Sequence, residues 1–143
     1  MIAVASDHGG FLLKMEIKAL LLQQGTQVDD LGTDSPDSVD YPDFAHKLAG
    51  GIQEKKYDKG ILVCGSGIGM SMAANRHGGV RAALCTSEYM ARMARRHNDA
   101  NVLCLGERVL GSDVAKGIVA AFLQTDFEGG RHAARVEKIE PQV

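Results

Sequence analysis

The stretch ILVCGSGIGMSMAANRHG, residues 61–78, passes from an apolar run through three alternating glycines into a run of helical spacing. Residues 60–64, apolar and bounded by glycines, predict a strand, and residues 70–77 predict a helix. The joint between them decides the architecture, because a strand that turns through glycines straight into a helix is the repeating unit of an α/β sheet.

The same unit recurs on both sides. Residues 2–6, IAVAS, predict a strand, and the segment after Gly10 puts Leu13, Ile17, Leu20 and Leu21 on one helical face before Gly25 closes it. A weaker strand follows at residues 27–31, then a helix at 44–52 carrying Phe44, Leu48 and Ile52. Beyond the glycine loop come a strand at 80–85, a helix at 87–97, a strand at 101–105 and a helix at 112–123. This alternation predicts a three-layer, doubly wound α/β sandwich of Rossmann-like type with a mostly five-stranded parallel sheet. Residues 1–143 read as one domain, with 124–143 a tail rich in Arg and Glu. The polar, proline-containing segment 32–43 is the one long loop, and loops of that length are often functional.

Composition narrows the function classes. With 143 residues and 45% apolar side chains the chain can bury one sizeable core. A net charge of −2 with scattered Lys and Arg predicts no nucleic-acid partner and no attraction to anionic membranes. No apolar run approaches the roughly 18 residues of a membrane span, and the first residues lack the charged flank of a secretory signal, so a cytoplasmic protein is expected. Cys64, Cys85 and Cys104 are odd in number, far apart and without CxxC spacing, which disfavours disulfides and a cysteine zinc site.

In open parallel sheets ligands bind beyond the carboxyl ends of the strands. The first strand delivers Asp7 and His8 there. The third delivers Cys64 followed by Gly65, Gly67 and Gly69, whose bare backbone lets successive N–H groups turn inward at a helix start and hold an anion. The spacing is GxGxG without a following GKS/T, so dinucleotide and nucleoside triphosphate binding lose ground. Cys85 and Cys104 read as small buried hydrophobes. Cys64 differs by position, since a thiol facing N–H donors is favoured as thiolate, the form that acts as nucleophile or base. A base needs an acidic proton held close and an anion site for the charge that develops, and the glycine loop offers that site. Two basic clusters remain. Arg95 and Arg96 read as solvated groups complementing a helix end. Arg131 and Arg135, four apart, share a face if helical and could grip a phosphate or simply meet solvent.

Five motifs in order, SDHGG at 6–10, DYPD at 40–43, CGSGIGMSMAANR at 64–76, RHNDAN at 96–101 and GGRHAARV at 129–136, resemble the ribose-5-phosphate isomerase B family, which includes the galactose-6-phosphate isomerase subunits. The resemblance spans nearly the whole chain. It implies metal-free and cofactor-free interconversion of ribose 5-phosphate and ribulose 5-phosphate through an enediolate. In that reading Cys64 removes the C2 proton, and the amides of Gly65, Gly67, Ile68 and Gly69 hold the enediolate. Ser66, where many members have Thr, moves protons between O1 and O2. The resemblance further implies that Asp7 and His97 open the furanose ring, and that His8, Asn98, Arg108, Arg131 and Arg135 bind hydroxyls or phosphate. Tyr41 would line the sugar pocket. A six-carbon phosphosugar is the rival substrate, and a non-catalytic phosphosugar-binding module the rival class.

The helix at 87–97 starts at the ligand edge of the sheet and runs back at about 1.5 Å per residue, putting His97 and Asn98 on the order of 15 Å from their own Cys64. A homodimer or dimer of dimers with shared sites is therefore expected, in agreement with the resemblance.

Overall fold

A computed structural model describes residues 1–141. In chain order the elements are β1 (Ile2–Ser6), a 3-10 turn (His8–Gly10), α1 (Phe11–Gln23), β2 (Val28–Asp30), α2 (Tyr41–Gln53), β3 (Lys59–Cys64) and α3 (Ile68–Ala74). They continue with β4 (Ala82–Leu84), α4 (Glu88–Asn98), β5 (Val102–Gly106), α5 (Ser112–Gln124) and α6 (Arg131–Glu137). The five strands are all parallel, in the order β2-β1-β3-β5-β4. The architecture is the doubly wound α/β sandwich that the alternation of apolar strands and helical segments predicts.

Two cores follow from the side-chain alternation of a strand. Val4, Ile61, Val63, Leu103 and Leu105 face one way, onto Leu13, Ile17 and Leu21 of α1, Ala91 of α4, and Ile118 and Phe122 of α5. Ala3, Ala5, Leu62, Cys64, Val102 and Cys104 face the other way, onto Leu48 and Ile52 of α2 and Met70 and Ala74 of α3. Cys64 therefore points into the α2–α3 layer at the last position of a central strand. Leu20, expected on the buried face of α1, is only half-buried.

Local chemistry moves several boundaries. The loop ends at Asp40, because Tyr41 and Pro42 open α2, where proline's missing N–H costs nothing. β4 is shorter than residues 80–85. On its free edge Asn75 Nδ2 donates to the Ala82 carbonyl at 2.9 Å and its Oδ1 accepts the Ala82 N–H at 2.8 Å, so a side-chain amide stands in for a neighbouring strand. Within the 124–143 tail, residues 131–137 form α6, which packs on α4.

Arg95 corrects the expectation of a solvated helix end, since it is 7% exposed. Its Nε donates to Thr125 O at 3.0 Å, and its Nη1 donates to Asp99 Oδ1 at 2.8 Å and to Ala100 O at 2.7 Å. Asp99, in left-handed backbone at the end of α4, supplies the counter-charge that lets a guanidinium be buried. Arg96 stays exposed.

A second buried ion pair anchors the loop beside the site. Lys14 is 1% exposed, and its Nζ donates to Asp30 Oδ1 at 2.8 Å and to the Thr33 carbonyl at 2.5 Å. Burial alone would raise the Asp30 carboxyl, but the Lys14 ammonium, the Gly32 N–H and Lys18 outweigh it and hold it below the usual carboxylate value. A carboxyl whose folded pKa is depressed stabilises the fold above its unfolded pKa of about 3.9, and that contribution is lost as pH falls through the folded value. Asp30→Asn should cost about 3 kcal/mol at pH 7, because it leaves Lys14 buried and unpaired. Urea unfolding at pH 7 and below pH 4 should show the gap from wild type shrinking in acid.

Candidate active site

The carboxyl ends of β1, β3 and β5 converge on one open cavity of about 580 Å³. Its lining includes Asp7, Tyr41, Cys64, Ser66, Ile68 and Arg108, and Gly65 and Gly69 form part of its floor. Cys64 is 5% exposed, and its Sγ accepts a hydrogen bond from the Gly67 N–H at 3.1 Å. That contact needs the loop to double back sharply, which Gly67 permits with φ of +81° at the N-cap of α3. A Cβ at Gly67 would also lie 2.6 Å from Leu84 Cδ1.

The loop walls come from three other elements. The Tyr41 ring, in the first turn of α2, covers Gly69 so closely that a Cβ there would meet Cε1 at 2.5 Å. Arg108 N–H donates to Gly65 O at 3.0 Å and Glu107 N–H to Cys64 O at 2.9 Å, binding the segment after β5 to the glycine loop. The Arg108 guanidinium then lies over Gly65, with Nη1 3.3 Å from where a Cβ would stand. Asp7 is 8% exposed and accepts the Gly10 N–H at 3.1 Å, capping the 3-10 turn. His8 turns toward the loop, where its Nδ1 accepts the Val39 N–H at 3.2 Å. Ser66 is exposed, and its Oγ accepts the Ile68 N–H at 3.2 Å. Two loop amides are thus already aimed at acceptors lining the cavity, the thiol and an exposed hydroxyl.

The remaining expected residues lie elsewhere. Cys64 pairs with Gly106 at one end of β5, whereas α4 delivers His97 and Asn98 to the other end, just before Val102. A strand of that length separates them by on the order of 15 Å at about 3.3 Å per residue. His97 stacks on His132 of α6, with ring centroids 4.3 Å apart and planes 15° from parallel. Glu128 sits against both, its Oε2 3.8 Å from His97 Nε2 and its Oε1 3.8 Å from His132 Nε2. Burial, then the neighbouring His97 and Arg131, lower the proton affinity of His132. Arg131 and Arg135 stand exposed one turn apart on the same helix. These residues therefore fall into two separate clusters, a thiol with an amide loop and Arg108, and the stacked His97 and His132 with Arg131 and Arg135 on the same helix as His132. Glu128 and His132 were not singled out from sequence, although their i,i+4 spacing is visible there. The four rim residues Met72, Val109, Ile68 and Tyr41 are exposed apolar groups around the thiol cavity.

A strand-end thiol, an amide loop and a cavity wall bearing a guanidinium define an α/β protein equipped to stabilise an oxyanion. The family described as Ribose/Galactose Isomerase matches residues 2–139, and the chain belongs to it. It is 49% identical over 138 residues to ribose-5-phosphate isomerase B of Escherichia coli K12, covering 96% of this chain and 93% of that protein. The crystal structure of a ribose 5-phosphate isomerase of Thermotoga maritima superposes with a TM-score of 0.97 at 52% identity, covering 99% of this chain and 97% of that one. That of ribose-5-phosphate isomerase B from Mycoplasma genitalium, with bound ribulose 5-phosphate, gives 0.93 at 46%, covering 96% and 92%.

Proposed function

We propose that the protein is an aldose-ketose isomerase interconverting D-ribose 5-phosphate and D-ribulose 5-phosphate, with Cys64 as the base. The observation that carries the reading is Cys64 Sγ held by the Gly67 N–H inside a cavity walled by Asp7, Ser66 and Arg108. Asp7 and His97 move the protons that open the furanose. The Cys64 thiolate then takes the proton from C2 of the open-chain aldehyde, and the electron pair of that C–H bond moves into an enediolate whose negative oxygen meets the loop amides. Ser66 exchanges the proton between O2 and O1, and the thiol returns its proton to C1. The sum is an isomerisation in which the base is regenerated, and no metal or organic cofactor takes part.

The substrate positions proposed are those that the resemblance to the family implies. The amides of Gly65, Gly67, Ile68 and Gly69 face the reacting end of the sugar, with Tyr41 beside it. His8, Asn98, Arg108, Arg131 and Arg135 bind hydroxyls and phosphate. Since His97, Asn98, Arg131 and Arg135 lie at the far end of their own sheet, the second cluster is supplied by another copy of the chain, and the working unit is at least a homodimer. We place the activity in the cytoplasm, where reducing conditions keep Cys64 a thiol. No helix among the described residues is long and apolar enough to cross a membrane.

Side-by-side isomerisation rates with ribose 5-phosphate and with galactose and allose 6-phosphates test the substrate. Faster turnover of a six-carbon sugar would overturn the five-carbon choice, and absence of turnover with all three would overturn the enzyme. Arg131→Ala should raise KM for the phosphosugar by about 10- to 100-fold, the worth of one or two charge-assisted hydrogen bonds. Unphosphorylated ribose should be affected less, and equal effects on both sugars would remove the phosphate from Arg131.

A further inference from the structure

His97, Glu128 and His132 come from three segments, yet one nitrogen or oxygen of each lies within 4.8 Å of the others. Their backbone holds them there independently of any side-chain contact. The Glu128 N–H donates to Arg96 O at 3.1 Å, which ties the segment before α6 to the last turn of α4. The His132 N–H donates to Gly129 O at 3.0 Å, which starts α6 with its imidazole one turn beyond Glu128. His132 is the rigid member at 7% exposure, while the side chains of His97 and Glu128 are 41% and 50% exposed and free to turn.

We propose that His97, Glu128 and His132 form a binding site for a borderline divalent cation of the Zn²⁺ class, and that such an ion inhibits the enzyme by occupying His97. Two imidazoles and one carboxylate are a common ligand set for such ions, which take three protein ligands and leave the remaining position to water. Bonds of about 2.0–2.1 Å to a tetrahedral zinc put its donor atoms about 3.3 Å apart. The two Nε2–Oε separations are 3.8 Å each but run to different carboxylate oxygens, and one donor atom of each residue lies within 4.8 Å of the others, so the three must close by up to about 1.5 Å to share one ion. Because the ring planes are only 15° from parallel, their in-plane lone pairs cannot both converge on one ion between them, and His97 must rotate to aim its Nε2 at it. Its exposure allows that.

Charge decides which ions fit. Arg131 and Arg135 repel a cation at this place, and one carboxylate offsets only part of that. Hard ions held by charge alone, such as Mg²⁺ and Ca²⁺, are excluded, whereas ions with strong affinity for imidazole nitrogen are not. The inhibitory part rests on the role given to His97 above, and the binding part does not.

Calorimetric titration of the intact protein with Zn²⁺, without substrate, tests the site. One ion should bind per chain, and His132→Gln and the milder Glu128→Gln should each weaken it by at least about 10-fold, the loss that even outer-shell changes produce. Cys64 is the competing ligand, so Co²⁺ is added as a second probe. A spectrum without thiolate charge-transfer absorption, abolished by His132→Gln, supports the site. Zn²⁺ affinity unchanged in both variants, or a thiolate band lost with Cys64→Ala, overturns it. In the rate assay, wild type should be inhibited over the same Zn²⁺ range, with inhibition relieved by a chelator and shifted to higher concentration in Glu128→Gln. Binding that depends on His132 without inhibition would overturn the inhibitory role and the placement of His97 in the reaction, while the ion site itself would stand.

Discussion

Cys64→Ala should lower kcat by about 10²- to 10⁴-fold, the range expected for removal of a positioned general base. Binding of ribose 5-phosphate, measured by calorimetry, should change little, because the groups proposed to hold the phosphate are arginines rather than the thiol. The substitution deletes one buried atom and the Gly67 N–H···Sγ hydrogen bond, a cost of about 1–3 kcal/mol that a two-layered core of this size should survive. Loss of binding in step with turnover would make the cysteine a structural residue. The other two cysteines provide the internal control. Burial pushes the Cys85 thiol up to about 11, and that of Cys104, fully enclosed between strand and helix layer, higher still. Neither is a thiolate at neutral pH, so Cys85→Ala and Cys104→Ala should keep near-normal kcat. A collapse of rate in either would count against Cys64 as the base.

The second large effect is recovery rather than loss. Chains carrying Cys64→Ala and chains carrying His97→Ala should each be nearly inactive, and mixing them under conditions that exchange subunits should restore about a quarter of wild-type activity. That fraction follows from a two-fold interface. Half of the randomly formed dimers contain one chain of each kind, and in those one of the two sites unites an intact Cys64 with an intact His97. The motive is the register that places Cys64 beside Gly106 while α4 leaves His97 before Val102. If fluorescence exchange proves that mixed dimers form and activity does not return, His97 serves a site within its own chain or no site at all.

Much of the thiol cavity was legible because it is local in sequence. The strand, the sharp turn and the helix start that present Cys64 to the Gly67 N–H all lie between residues 59 and 74, and glycine at alternate positions has few other uses there. Asp7 and His8 were legible for the same reason, as residues that must follow a strand ending at the ligand edge. Tyr41 and Arg108 were named through resemblance to a family. Nothing in their local spacing says that one ring covers Gly69 or that one guanidinium spans Gly65. The burial of Arg95 is not legible in the sequence because its counter-charge and two carbonyl acceptors come from the turn after α4 and the end of α5, and no helical pattern shows that they will close over it.

The order and type of the elements are local properties, since apolar runs of strand length and faces of helical period are set by nearest neighbours along the chain. Local too is the thiol that ends a central strand against bare backbone amides. Which strands adjoin comes instead from long-range packing, and that has chemical consequences. The insertion of β5 between β3 and β4 brings Arg108 to the thiol, and the packing of α6 on α4 stacks His132 against His97 with Glu128 beside them. Such contacts join residues far apart in the chain, and they form because burying two sheet faces and the ends of several helices at once admits few arrangements.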